Sequence, residues 1–267
     1  MFTDTELKDF IQKHKDEILK NDWESIYSDL PSFKDVSNLT DFLLNKAHIN
    51  PLFYMIEVPK GFAHNLDIPS INIPNSVTSI DYRAFYNCIG LTSITIPSSV
   101  TSIGYAAFCD CSGLTAINMS VGVTSIEDYA FSGCTGLTTI DIPNSVTEIG
   151  CSAFSNCSSL KSITIPNSVR SIGSFTFQNC SSLTSITIPS SVESINDFAF
   201  EDCTGLTSVT IPSSVKKIRY HAFTGCNNLK EIKYTGNQQQ WNKLLSLATN
   251  EYFAEWIREH KVKVIFI

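Results

Sequence analysis

The cysteines are the residues of this chain best suited to metal or redox chemistry. There are nine. Seven of them, Cys88, Cys111, Cys134, Cys157, Cys180, Cys203 and Cys226, recur every 23 residues. A metal site needs ligands that converge on one point, as paired Cys-x-x-Cys motifs do. A constant step instead strings the thiols along a line. A disulfide needs side chains turned toward each other, whereas members of one column point the same way. The reading that remains is a row of small buried apolar side chains, since free cysteine is among the most buried residue types. Cys109 and Cys151 fall outside the row and are expected to be more exposed.

Other catalytic constellations are missing from the sequence. The five histidines, His14, His48, His64, His221 and His260, share no repeat position. No Gly-rich phosphate loop, metal-ligand pair or nucleophile elbow is present. The acid pairs Glu127-Asp128 and Glu201-Asp202 occupy variable positions and read as solvated faces. No catalytic residue, metal ligand or cofactor is assigned, and the chain is expected not to be an enzyme.

The elements that carry these residues follow from the same period. Phe85, Phe108, Phe131, Phe154, Phe177, Phe200 and Phe223 keep the 23-residue step, as do the leucines from Leu91 to Leu229. Prolines at 74, 97, 143, 166, 189 and 212 keep it too, with Ser120 in the one gap. Seven repeats therefore run without insertion from Pro74 to Tyr234. Within a unit, Leu114-x-x-Ile117-x-Met119 has the alternation of a short strand, and Val100-Thr-Ser-Ile103 reads as a second extended segment. A turn follows, marked by Gly104, Gly150, Gly173 or Asn196. The apolar spacing of Ala107-Phe108-x-x-Cys111-x-x-Leu114 suits one helical or 3₁₀ turn. No unit can bury its apolar side alone, so the units must stack into a solenoid with a one-dimensional core.

The strings Ile-Pro-Asn-Ser-Val-Thr-Ser-Ile and Ala-Phe-x-x-Cys-x-x-Leu resemble the BspA-type leucine-rich repeat of bacterial, protist and phage proteins, over residues 68–234. That resemblance implies an α/β repeat protein: a curved, right-handed leucine-rich-repeat solenoid of short strands and short helical turns, used for protein binding or adhesion. It brings no catalytic residues with it.

A solenoid end exposes strand edges and raw core, so caps are expected. Phe62 lies 23 residues before Phe85, which makes residues 62–73 a degenerate half-repeat with Asn65 in the cysteine position. Before it, Thr3-x-x-Glu6 is a capping box, and Leu7, Phe10, Ile11 and Ile18 follow at helical spacing. Residues 1–57 are read as a small helical domain, 58–234 as the solenoid, and 235–267 as a C-terminal cap with helices around Trp241 and Phe253–Ile257 and a closing strand.

Composition limits the function. Net charge is −7 and the pI about 5.2, which argues against a basic nucleic-acid-binding face. No apolar run is long enough to cross a bilayer, and the N-terminal residues show no signal-peptide core. Cytoplasmic location is the expectation, and nine thiols fit a reducing compartment. Two surfaces are candidates for binding a protein partner. One is an aromatic line of Tyr82, Tyr105, Tyr129, Phe175, Phe198 and Tyr220, absent only where Cys151-Ser152 stand. The other is the hydroxyl-rich strand face, with Ser93, Thr95, Ser185 and Thr187. The main expectation is a non-enzymatic protein-interaction scaffold. The alternatives are a surface or virion-associated adhesin and, more remotely, ice binding by the Ser/Thr columns, which Asp141, Lys161 and Lys230 interrupt.

Overall fold

The computed structural model describes residues 57, 58, 60–63, 65 and 68–267. The helical domain expected over residues 1–57 lies outside the described residues, Glu57 excepted. What is described is a solenoid of parallel strands followed by two helices and a closing strand.

Each rung has two strand segments. The longer ones, such as β4 (Ser93–Ile96), β6 (Ala116–Met119) and β12 (Ser185–Thr187), alternate exposed and buried residues. The shorter ones, such as β5 (Ser102–Ile103), β9 (Glu148–Ile149) and β11 (Ser171–Ile172), contribute one buried isoleucine each. Pairing is parallel and in register at one repeat, with Ser70 opposite Ser93 and Ser185 opposite Ser208. A turn joins the segments: the Pro97 carbonyl accepts from the Val100 N–H at 3.1 Å. Proline suits this corner because it cannot donate to a ladder. Where Ser120 replaces it, Gly122 is needed, since a Cβ there would stand 1.9 Å from the Ser98 carbonyl oxygen.

The phenylalanine column stacks as expected. Ring centroids from Phe85 to Phe223 are 5.0 to 5.8 Å apart, with interplanar angles of 12° or less. The cysteine row lies beside it, buried from Cys88 to Cys226. Its thiols are more than filler. Cys134 Sγ donates to the Phe108 carbonyl at 3.2 Å, and Cys226 Sγ to the Phe200 carbonyl at 3.0 Å. The same bond recurs in every rung between, so the row also gives a weak donor to buried carbonyls.

The segment around the Ala-Phe pair is tighter than a helical turn. Its N–H groups alternate between two targets. Cys109 and Cys111 bond back three residues, to Ala106 and Phe108, whereas Ala106, Phe108 and Asp110 reach the next rung at Asp128, Ala130 and Ser132. These bonds back by three residues are of the 3₁₀ kind, but left-handed residues four apart, Ala106 at φ 53° and Asp110 at φ 61°, stop them from running on. A true helix would have spent the N–H groups that tie the rungs together.

At the N-terminal end the register differs from the expectation. The Asn87 side chain donates to Asn65 at 2.9 Å, and Cys88 Sγ to the Ala63 carbonyl at 2.8 Å. Asn65 thus stands in the Asn87 column, not the cysteine column. The spacing is 22 residues there and returns to 23 by Ser70, which pairs with Ser93. Phe62 still reaches the core, but it meets Phe85 edge-on at 74° instead of stacking.

At the other end, α1 (Gln238–Leu245) starts with a capping box between Asn237 and Gln240. α2 (Glu251–His260) ends in left-handed Lys261, and β17 (Lys263–Phe266) pairs with β16 (Glu231–Thr235). Trp241, Leu244, Phe253 and Ile257 close the core. Asn250, fully buried, fastens this cap: its Oδ1 accepts from the Ile218 N–H at 2.6 Å, and its Nδ2 donates to the Leu244 carbonyl at 2.7 Å. Asn250→Ala strands these buried groups and should cost about 3 kcal/mol. In hydrogen exchange, α1 and α2 should lose protection while the Phe85–Phe131 rungs keep theirs.

Candidate functional site

The six ridge aromatics fall in two neighbouring columns. Tyr82 and Tyr105 stack at 5.3 Å, and Tyr129 tilts against Tyr105 at 5.5 Å. Beyond the gap at Cys151-Ser152, Phe175 and Phe198 stack at 4.8 Å and Tyr220 meets Phe198 edge-on at 5.5 Å. The ridge is therefore two clusters. The second runs on to the cap, where Tyr252 packs edge-on to Tyr220 at 4.5 Å. Sequence reasoning missed Tyr252, which has no repeat partner to mark it. Cations attend the first cluster: Lys60 lies 5.0 Å and Arg83 5.3 Å from the Tyr82 ring centre.

The backbone under the ridge is unusual. Tyr129, Phe175 and Phe198 have φ of 58° to 59°. Bulky residues are genuine outliers there. The second left-handed column of each rung holds Asn87, Asp110, Gly133, Asn156, Asn179, Asp202 and Gly225, the types that tolerate this conformation. The ridge column has the same backbone and never uses them, carrying Arg83, Ala106, Tyr129, Ser152, Phe175, Phe198 and His221. Tyr129 and Tyr220 remain 40% and 41% exposed, and Tyr252 51%.

The strand face is placed as the pattern requires. Ser93, Thr95, Ser185 and Thr187 are exposed and in register with neighbouring rungs. Thr95 faces Asn72 and Asn118, and Thr210 faces Lys233, so the hydroxyl rows are short.

A third surface runs along the shorter strands, where the sequence marks only Glu127-Asp128, as a solvated pair. It forms a groove of about 810 Å³ from Tyr105, past Glu127, Asp128 and Glu148, to Arg170. Asp128 is partly engaged, accepting the Cys151 N–H at 2.6 Å. The short-strand ladder stops at β9 and restarts at β11 beside this groove.

Among the described residues no three His, Cys, Asp or Glu side chains converge to hold a metal ion. No helix among them is long and apolar enough to cross a membrane.

Comparison with known proteins agrees with this geometry. A family model described as the BspA type leucine rich repeat region, in six copies, matches residues 58–167 and 147–245. A leucine rich cell surface protein from Faecalibacterium prausnitzii is 32% identical over 72% of this chain, with a TM-score of 0.51. The chain spans 60% of that protein's length. The T. pallidum leucine rich repeat protein is 29% identical, covering 74% of this chain and 83% of its own, with a TM-score of 0.55. No curated protein matches the chain.

Proposed function

The chain belongs to the BspA-type leucine-rich repeat family, and from that premise we propose that it is a non-enzymatic scaffold that binds a protein partner along its aromatic ridge. One observation carries the reading. Large aromatics stand, partly exposed, on left-handed backbone that asparagine or glycine would occupy with less strain. Strain kept at an accessible surface is a pointer to function, and aromatic side chains dominate the energetic centres of protein interfaces.

The strain also supplies a clean test. Tyr129→Asn and Phe198→Asn relieve the backbone while removing the rings, so the pair should hold or slightly raise Tm. Binding should fall by about tenfold or more, from the loss of two interface aromatics. Proteins captured from the native source by the immobilised wild type should be lost from the double variant and kept by Thr95→Ala with Thr187→Ala. Equal capture by all three, or a collapse of Tm in the asparagine pair, rejects the ridge.

A second location for the same scaffold, presentation on a surface as an adhesin, is supported by the relative described as a cell surface protein. Capture performed on intact cells beside capture from lysate separates that setting from an internal one.

A further inference from the structure

The outward positions of the short strands and the turn after them divide by charge. In the repeats from Pro74 to Ile165 they hold Asp81, Glu127, Asp128 and Glu148, with Arg83, beside Tyr82, as the one basic residue. From Pro166 to Tyr234 they hold Arg170, Lys216, Lys217 and Arg219, beside Glu193 and Asp197. The sign changes inside the groove, between Glu148 and Arg170. The break in the short-strand ladder lies at the same place, between Ile149 and Ser171. Beyond it the face continues into a smaller hollow lined by Glu193, Lys216, Lys217 and Arg219.

Little of this charge is neutralised within the chain. Lys216 and Glu193 pair at 2.9 Å. Among the described residues no carboxylate comes within ion-pair distance of Arg170, Lys217 or Arg219, although Arg170 adds to Lys216 in holding the Glu193 carboxyl below its usual range, and no base comes within that distance of Glu127 or Glu148. Arg170, Lys217, Arg219, Glu127 and Glu148 are exposed. Interspersed signs would solubilise the surface equally well. Blocks of one sign pay off only against a ligand with matching blocks, by steering its approach and fixing its register.

We infer that this groove binds an extended polypeptide segment with block-wise charge, its basic half over Glu127 and Glu148 and its acidic half over Arg170, Lys217 and Arg219. The inference rests on the reading of the chain as a protein-binding scaffold, and it adds a second face and the chemistry of what lies there. Glu127 and Lys217 stand four rungs apart, roughly 19 Å at the spacing of paired strands. About six residues of extended chain cross that distance, so a segment of about ten spans both halves.

Two fluorescent peptides of identical composition test it at low ionic strength. One carries a run of lysines followed by a run of glutamates, and in the other the same residues alternate. The block peptide should bind about tenfold more tightly, and added salt should erase the difference. Glu127→Lys with Glu148→Lys removes the net negative charge of the acidic half, where Asp81 and Asp128 remain, and should abolish the preference, while circular dichroism stays unchanged. Adding Arg170→Glu, Lys217→Glu and Arg219→Glu reverses the sign of all five exposed, unpaired side chains, and the block peptide, turned end for end, should bind again.

Equal affinity for the two peptides overturns the inference, as does indifference to the two-site variant. A dimer in sedimentation that Glu127→Lys with Glu148→Lys disperses also overturns it, because the face would then be filled by a second copy. Phe198→Asn alone lies away from the lining of this groove and should leave peptide binding unchanged. Failure here is thereby separate from failure of the ridge.

Discussion

Phe154→Ala should cost about 3–5 kcal/mol and cut the solenoid in two. The ring is fully buried and lies between Phe131 at 5.5 Å and Phe177 at 5.8 Å. Its removal leaves a void that two stiff neighbouring rungs cannot close. In a repeat array each unit touches only its neighbours, so the loss falls on the coupling across one rung. Phe154 is also in the rung where the short-strand ladder stops, which leaves the other half of the cross-section with few bonds to compensate. Hydrogen exchange at rising urea should show residues 74–142 and 189–234 opening together in the wild type and at separate midpoints in the variant. Phe108→Ala should cost a similar amount but chiefly loosen the rungs on its N-terminal side. Coincident midpoints in Phe154→Ala would show that the core is coupled over longer distances than nearest neighbours.

What could be read from the sequence is what the period enforces. Phe108, Cys111 and Leu114 each have counterparts 23 residues away on either side, and parallel pairing in register requires equivalent residues to stack. The core columns and the Ser/Thr face follow directly. Features set by contacts off the period do not. The slip that puts Asn65 beside Asn87 is a spacing of 22, hidden because Phe62 keeps the expected spacing to Phe85. Asn250 acts across 32 residues on Ile218, and nothing in its neighbourhood marks it as a fastener. The strain under Tyr129 is invisible for another reason: local propensity assigns left-handed backbone to glycine and asparagine, and stacking between rungs overrides it here. For the candidate surfaces, the repeat position marked the aromatics. The groove needed the structure, because Glu127, Glu148 and Arg170 sit in three different columns and converge only where the ladder opens.

Alkali should unfold this protein through its cysteine row. Burial pushes the Cys134, Cys157 and Cys180 thiols up, Cys157 to about 12. Cys111 and Cys226 are raised first by hydrogen bonding with the neighbouring thiols Cys88 and Cys203, and then by burial. A thiolate in the row would also lose the S–H bond to the phenylalanine carbonyl and set its charge against that oxygen. A thiol whose folded pKa lies above its unfolded value keeps its proton in the fold after the unfolded chain has lost it. The stability that proton represents is complete below roughly pH 8.5, the ordinary cysteine value, and drains away as pH rises toward the folded value. Each such thiol removes about 1 to 2 kcal/mol per pH unit in that window. Five acting together remove on the order of 5 to 10 kcal/mol per unit, comparable with the whole stability of an ordinary domain. The urea midpoint should therefore hold steady up to about pH 8 and fall steeply before pH 10. Cys134→Ala, Cys157→Ala and Cys180→Ala combined should flatten that fall by more than half, although the variant starts from a lower midpoint. A midpoint level up to pH 10, or a fall as steep in the triple variant, would mean that the row ionises alike in folded and unfolded chains and is not the sealed column described here.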